Sequence, residues 1–137
     1  MAIVIRAKGL TLLPYQNGFS DVSSQDWHSD IIQAALEAGI ISADERFRPN
    51  DYITREEIAK IISRVTMLDD KAFDKISAIT VYDDAYAISE WAVKSVEEVT
   101  AQNLMHGRDD GTFAPKANAT RGEASAVVSR MVDYLKN

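Results

Sequence analysis

From Phe19 onward, apolar residues recur at helical spacing in two rounds, and each round is the same unit of helix, loop and capped helix. In the first round Trp27, Ile31, Ala34, Ala35 and Ala38 mark a helix over about residues 26–38, with Ser24 as its N-cap and Gly39 as the left-handed residue that stops it. A loop holding Phe47 and Pro49 follows, after which Ile58, Ile61, Ile62, Val65 and Leu68 form the apolar stripe of a second helix. The second round starts at Ser89 as N-cap, runs through Trp91, Ala92, Val96 and Val99 to about Gln102, and closes with a helix carrying Ala124, Val127, Val128, Met131 and Leu135. Residues 69–81 between the rounds read as a polar bridge with one helical turn, leaving Ile76 and Ile79 to pack. Residues 1–18 break the pattern: Ile3-Val4-Ile5 is β-branched, Lys8-Gly9 is a break, Leu10-Thr11-Leu12-Leu13 ends at Pro14, and Asn17-Gly18 is turn chemistry. They predict a short strand or hairpin, either the remnant of a preceding domain or a strand that needs a partner. The expected fold is therefore mainly α, tandem helix-loop-helix repeats packed as a bundle, divided into an extended segment (1–18), repeat one (19–68), a linker (69–81) and repeat two (82–137).

Each second helix opens on the same short stretch, Ile53-Thr54-Arg55-Glu56-Glu57 and Ala119-Thr120-Arg121-Gly122-Glu123. A Thr three residues before a Glu, just ahead of an apolar run, is a capping box: the hydroxyl accepts from one orphan amide and the carboxylate accepts from another. Capping fully accounts for Thr54, Glu57, Thr120 and Glu123. It does not account for the Arg, which stands where the helix dipole is positive. Arg55 and Arg121 are either solvated charges, or partners of Asp51 and Asp110, or groups that together with the helix amides receive an anion from outside.

The repeat survives arithmetic. A shift of 66 matches seven of the eighteen positions from Phe47 to Arg64, among them Phe47 with Phe113, Pro49 with Pro115 and Arg55 with Arg121, where composition alone would give about one. Upstream the shift falls to 64, pairing Trp27 with Trp91, Ile32 with Val96 and Ile40 with Leu104, and then to 63, pairing Phe19 with Tyr82 and Asp21 with Asp84. The loop after the first helix is thus two residues shorter in copy one.

Composition removes several classes of chemistry. With 46% hydrophobic residues in 137 the chain can build a core, and 15 basic against 21 acidic residues, a net charge of -6, leave no broad basic footprint for nucleic acid. Any anion site is local. The lack of Cys excludes disulfides and thiol catalysis, and fits either a cytosolic protein or a bacterial surface module. Two His leave little for a metal centre, and Asp109-Asp110-Gly111 lacks the alternating oxygen ligands and terminal Glu of a calcium loop. No apolar stretch is long enough to insert into a membrane, and no charged leader follows Met1, so export would make this chain a mature fragment. No Ser-His-Asp arrangement, metal-ligand spacing or phosphate loop is present, so no catalytic residue, metal or cofactor is assigned.

Phe19-Ser20-Asp21-Val22, Trp27, Gly39-Ile40, Phe47, Pro49 and Ile53-Thr54-Arg55-Glu56-Glu57 together resemble a surface-layer homology (SLH) repeat. Copy two is similar to it through Trp91-Ala92, Gly107, Asp109-Asp110-Gly111-Thr112-Phe113, Pro115 and Thr120-Arg121-Gly122-Glu123. The resemblance implies a secreted, non-catalytic module holding a bacterial protein on the cell wall or S-layer through an acidic, often pyruvylated, secondary wall polysaccharide. It further implies a pseudo-threefold bundle of three repeats with glycan grooves between neighbours. Two repeats leave that bundle incomplete, so a third would come from another chain, from a region outside this one, or be replaced by homo-oligomerisation. Copy one lacks the glycine pair that copy two keeps as Gly107 and Gly111, and Gly122 takes the motif's small apolar place.

The glycan-binding candidates are Arg121, Arg55, Asp84, Asp21, Trp91, Trp27, Gly107 and Gly111, with Arg121, beside the intact glycine loop, ranked ahead of Arg55. Trp27 and Trp91 sit on apolar stripes and are either core or sugar platforms, and Asp21 and Asp84 either cap the turns into their helices or fix sugar hydroxyls. The rival expectation is a structural or self-assembly module made of degenerate repeats, with no glycan site.

Overall fold

The computed structural model describes residues 1–16, 18–43, 47–67 and 82–136. Among the described residues it holds five α-helices, α1 (Ala2–Ala7), α2 (Ser29–Glu37), α3 (Arg55–Met67), α4 (Val93–Ala101) and α5 (Arg121–Lys136), with 3₁₀ turns at Ala85–Ala87 and Glu90–Ala92. No strand forms among the described residues, and a single antiparallel bridge joins Thr54 to Asn118. The chain divides into two compact units, Met1–Asp51 and Tyr52–Asn137. The division falls inside repeat one, whose second helix, α3, belongs to the unit that holds repeat two. The bridge expected at 69–81 lies outside the described residues.

In the first unit α1 packs on α2, burying Val4 and Ile5, and Phe19, Val22 and Ile32 form a core against Tyr15, Leu36, Ile41 and Phe47. The Phe19 and Phe47 rings lie 5.2 Å apart and are tilted. In the second unit α3 packs on α4 and α5, and Ile58, Ala59, Ile62 and Val65 close on Val96, Val99, Val127 and Met131. Each such aliphatic side chain contributes roughly 1.5–3 kcal/mol on burial. One polar pair is enclosed with them: the Ser63 hydroxyl on α3 donates to the buried Glu98 carboxylate on α4.

Three helices end in the same way. After α1, Gly9 is left-handed and the Leu10 amide donates back to the Ile5 carbonyl at 3.1 Å. After α2, Gly39 and Ile40 repeat this with Ala35 at 2.9 Å, and after α4 Asn103 takes the left-handed place while Leu104 donates to Val99 at 2.8 Å. These are Schellman stops, each using a residue that tolerates positive φ and an apolar one behind it.

Three local expectations are corrected. Residues 2–7 are a helix, not a strand: the β-branched run has no second strand to pair with, while Val4 and Ile5 can be buried together against α2, and tertiary packing outweighs a β propensity worth about 1 kcal/mol. α2 starts at Ser29, with His28 and not Ser24 at its N-cap, because the Asp26 carboxylate takes the Ser23 amide at 2.8 Å and folds residues 23–28 into turns. The third predicted helix opens as a 3₁₀ turn, and Ser89, at its N-cap, directs its hydroxyl away from the helix to Glu56.

Candidate functional site

Both capping boxes form. Thr54 and Glu57 exchange hydrogen bonds at 2.9 and 3.3 Å, and Thr120 and Glu123 do so at 3.1 and 3.0 Å. Beyond the caps the two helix starts have opposite fates. At α3 the Arg55 amide donates to the Ala117 carbonyl at 3.0 Å and the Glu56 amide to the Pro115 carbonyl at 3.1 Å. With Glu57 served by Thr54, protein acceptors take all three first-turn donors that an anion would need.

The Arg55 side chain is equally committed. Its Nε donates to the Phe113 carbonyl at 2.7 Å and Nη2 to the His106 carbonyl at 2.6 Å, its Cζ stands 4.9 Å over the Phe113 ring, and Nη1 lies 3.7 Å from the Glu123 carboxylate. Only 5% of the residue is exposed. Burial lowers its pKa below the ordinary guanidinium range, with the Glu123 carboxylate opposing. Arg55 is therefore a strut that fixes the residue 106–113 loop of repeat two onto the second helix of repeat one.

At α5 the corresponding groups are open. Arg121 and Gly122 are exposed, and among the described residues neither the Arg121 guanidinium nor the two first-turn amides meet an acceptor. The intact glycine loop ranks Arg121 above Arg55 in the sequence, and the geometry separates them for a different reason: one start is roofed by a loop and the other is not.

The aspartates serve the loops. The Asp84 carboxylate accepts from the Phe113 and Ala114 amides, both at 2.8 Å, and in the first unit Asp21 accepts from Phe47 and Arg48, both at 2.7 Å. Each clamps two successive amides after the loop, beside an aromatic pair, Tyr82 with Phe113 or Phe19 with Phe47. Gly107 and Gly111 are required by packing: a Cβ at Gly107 would stand 2.6 Å from the Tyr82 ring, and one at Gly111, where φ is +84°, 2.6 Å from the Asp83 carboxylate. Asp110 accepts from the Thr112 hydroxyl at 2.6 Å and its amide at 3.0 Å, which holds its pKa below the usual carboxylate range. Among the described residues no cluster of His, Cys, Asp and Glu could hold a metal ion, and no helix is long and apolar enough to cross a membrane.

Neither tryptophan is in the core: Trp27 is 82% exposed and Trp91 48%. Their helical spacing matched a stripe, but both lie ahead of the regular helix, where the turns swing the indoles outward. Lys60 sits 4.8 Å from the centroid of Trp91, leaving a half-exposed aromatic with a cation on one side.

Two cations and a carboxylate escaped the sequence reading. Arg108 reaches within 3.8 Å of Glu123, so one carboxylate is shared by Arg55 and Arg108 and positive charge is left over near the α5 start. Glu56 is buried and accepts from the Ser89 amide and hydroxyl at 2.9 and 2.8 Å and from Lys116 at 2.7 Å. Burial alone would raise its pKa, but Lys116 and Ser89 outweigh that and lower it. No local pattern flags these residues, since their partners are 15, 33 and 60 positions away. Arg108 carried only the hint of a cation inside a glycine loop. Among the described residues a cavity of about 70 Å³ lies between Tyr82, Ala85, Ile88, Val93, Val96, Glu97 and Thr100, far below the several hundred Å³ of small-ligand sites. The open site is a surface.

A family model described as S-layer homology domain matches residues 18–59 and 81–125. The chain is 40% identical over 138 residues to an amylopullulanase of Thermoanaerobacterium thermosulfurigenes, covering 99% of this chain and 7% of that protein. It is 36% identical to the exoglucanase XynX of Acetivibrio thermocellus, covering 99% of this chain and 13% of the relative. It is also 37% identical over 89 residues to a cellulosome-anchoring protein of A. thermocellus, covering 65% of this chain and 20% of that one. The chain thus spans a small part of each of these relatives.

Proposed function

Because the chain belongs to the S-layer homology domain family, we propose that it is a non-catalytic anchor that holds a secreted protein on the bacterial cell surface by binding an acidic polysaccharide of the wall. Relatives with unrelated enzyme names share this small piece, and another is named for anchoring, which is how a portable attachment module is expected to be distributed. We take the two repeats, 19–68 and 82–137, as its working units.

The observation that carries the binding reading is the open start of α5. A carboxylate, such as a pyruvyl ketal on a sugar, would accept from the Arg121 and Gly122 amides and from the Arg121 guanidinium, with Arg108 adding positive charge. Trp91 with Lys60 offers an aromatic face and a second cation for a neighbouring sugar. Arg55, Asp84, Gly107 and Gly111 hold the loop that shapes the site, and Asp21 and Trp27 are the equivalents in copy one. A single charge-assisted contact contributes roughly 1.5–3 kcal/mol, so firm anchoring requires several such sites on one polymer.

Arg121→Ala is expected to abolish pull-down by purified cell walls while the far-UV CD spectrum stays helical. Undiminished pull-down overturns the assignment. One observation favours the second reading, a self-assembly module: at α3 the same motif is satisfied by protein carbonyls. Light scattering separates the two, since a stable oligomer indifferent to wall glycan supports self-assembly.

A further inference from the structure

We propose that the small cavity beside α4 receives the exposed Leu12-Leu13 pair of a second copy of this chain, so that neighbouring copies associate head to tail. Comparison of the two repeats carries the pocket. Four of its lining residues, Tyr82, Ala85, Val96 and Thr100, stand where repeat one has Phe19, Val22, Ile32 and Leu36, and there the four pack together as core. The pairing holds in the backbone as well: the Val22 amide donates to the Phe19 carbonyl at 3.4 Å and the Ala85 amide to the Tyr82 carbonyl at 3.1 Å, closing the same turn. Repeat two replaces Val22 by Ala, Ile32 by Val and Leu36 by Thr, each a loss of apolar volume, and the Thr100 hydroxyl pairs with that of Tyr82 at 2.8 Å. The space that repeat one fills from within is thus left open. Packing given up at one place in a close-packed unit is a local rule broken, of the kind found where something binds.

The occupant follows from shape and charge. The mouth is apolar, with Tyr86 89% exposed beside Ala85, and Val93 39% exposed where repeat one buries Ser29. A volume of about 70 Å³ suits an aliphatic side chain, since an apolar cavity of ~150 Å³ takes up a whole benzene ring. Glu97 on the wall adds a carboxylate, which disfavours an acidic polymer and favours a basic partner. Residues 1–18 supply both requirements: they carry Arg6 and Lys8 and no acidic residue, in a chain of net charge -6. Leu12 and Leu13 are exposed there, in a stretch outside any helix, and Pro14 holds Leu13 extended, so little ordering is needed on contact. The leucines and the pocket are different surfaces, so the contact is heterologous and links copies in a row. One or two leucines support only a weak association, on the order of 0.1–1 mM, which matters where anchored copies are crowded on a wall. That setting rests on the anchoring proposal, whereas the contact itself does not.

The test is complementation, followed by sedimentation velocity of the whole chain without glycan. One variant, Leu12→Ser with Leu13→Ser, removes the leucines and keeps the pocket. The other keeps the leucines and fills the pocket with the residue of repeat one, as Ala85→Val or, independently, as Thr100→Leu. The parent is expected to associate as its concentration rises to about 1 mM, and each variant alone to associate about tenfold or more weakly. Mixing the leucine-free and the pocket-filled variants should restore a one-to-one pair, because each then supplies what the other lacks. Far-UV CD checks that all the variants stay folded. A parent that remains monomeric at 1 mM, association unchanged in the leucine-free variant or in both filled variants, or a mixture that does not pair overturns the proposal. No glycan is present, so this proposal and the anchoring proposal fail separately.

Discussion

Replacing Arg55 by Ala removes more than a charge. The side chain makes two charge-assisted bonds to the carbonyls of Phe113 and His106 and covers the Phe113 ring, and all of this is enclosed. Truncation strands two carbonyls, each costing about 1–3 kcal/mol when water cannot reach it, and removes a cation–π contact of about 0.5–2 kcal/mol. Against this stands the desolvation of the guanidinium, which the variant no longer bears. The net expectation is a loss of about 3–5 kcal/mol, in the range seen when one partner of a buried charged group is removed. For a chain of this size that is a fall in Tm of roughly 10–20 °C. Urea and thermal unfolding followed by far-UV CD measure it, and amide exchange should show residues 106–113 opening first. Arg55→Lys keeps the charge but not the fork, and should fall between the two. Arg121→Ala, at an exposed position, should stay within about 0.5 kcal/mol of the parent. An Arg55→Ala variant within 1 kcal/mol of the parent would refute the strut.

Two further predictions concern stability alone. Gly122 lies in the first turn of α5, and a Cβ there would meet nothing nearer than the Thr120 hydroxyl at 3.8 Å, so Gly122→Ala should raise the unfolding free energy by up to about 1 kcal/mol, seen as a higher urea midpoint. Glu56 has a folded pKa below its ordinary 4.5, so its contribution is complete above that pH and is lost as pH falls through the lowered value. Lys116→Met removes a main cause of the lowering, and should flatten the loss of stability between about pH 5 and the folded value, measured as urea midpoints across that range.

What sequence could convey was local. The capping boxes, the left-handed stop at Gly39 and the apolar faces of α3 and α5 follow from spacing, because each is decided within a few residues of itself. The strand expected at 2–7 failed because β propensity is weak beside burial, and whether Val4 and Ile5 meet a helix or a strand is set by a partner some 27 residues on. Spacing made Trp27 and Trp91 look like stripe residues, but both precede the regular helix and the stripe does not extend to them. Asp21 and Asp84 stand out in the sequence by their repeated place, but in place of capping the turns beside them their carboxylates clamp a loop that lies 26 to 30 residues ahead in the chain. The largest gap was Arg55. Its sequence context is nearly that of Arg121, and only the return of residues 106–118 over α3 tells a roofed guanidinium from an exposed one. The same return shows how a repeat motif serves two purposes, docking a neighbour in one copy and facing outward in the next.

The central claim is that the α5 start receives an anionic sugar. The most direct measurement is a ¹H–¹⁵N NMR titration of the chain with a pyruvylated saccharide, and with the same saccharide as its methyl ester. The acid should shift the Arg121 and Gly122 amides saturably, leave the roofed Arg55 and Glu56 amides in place, and lose its effect in Arg121→Ala, while the neutral ester shifts none of them. Shifts that persist in Arg121→Ala, that are equal for acid and ester, or that are absent from Arg121 and Gly122 would contradict it.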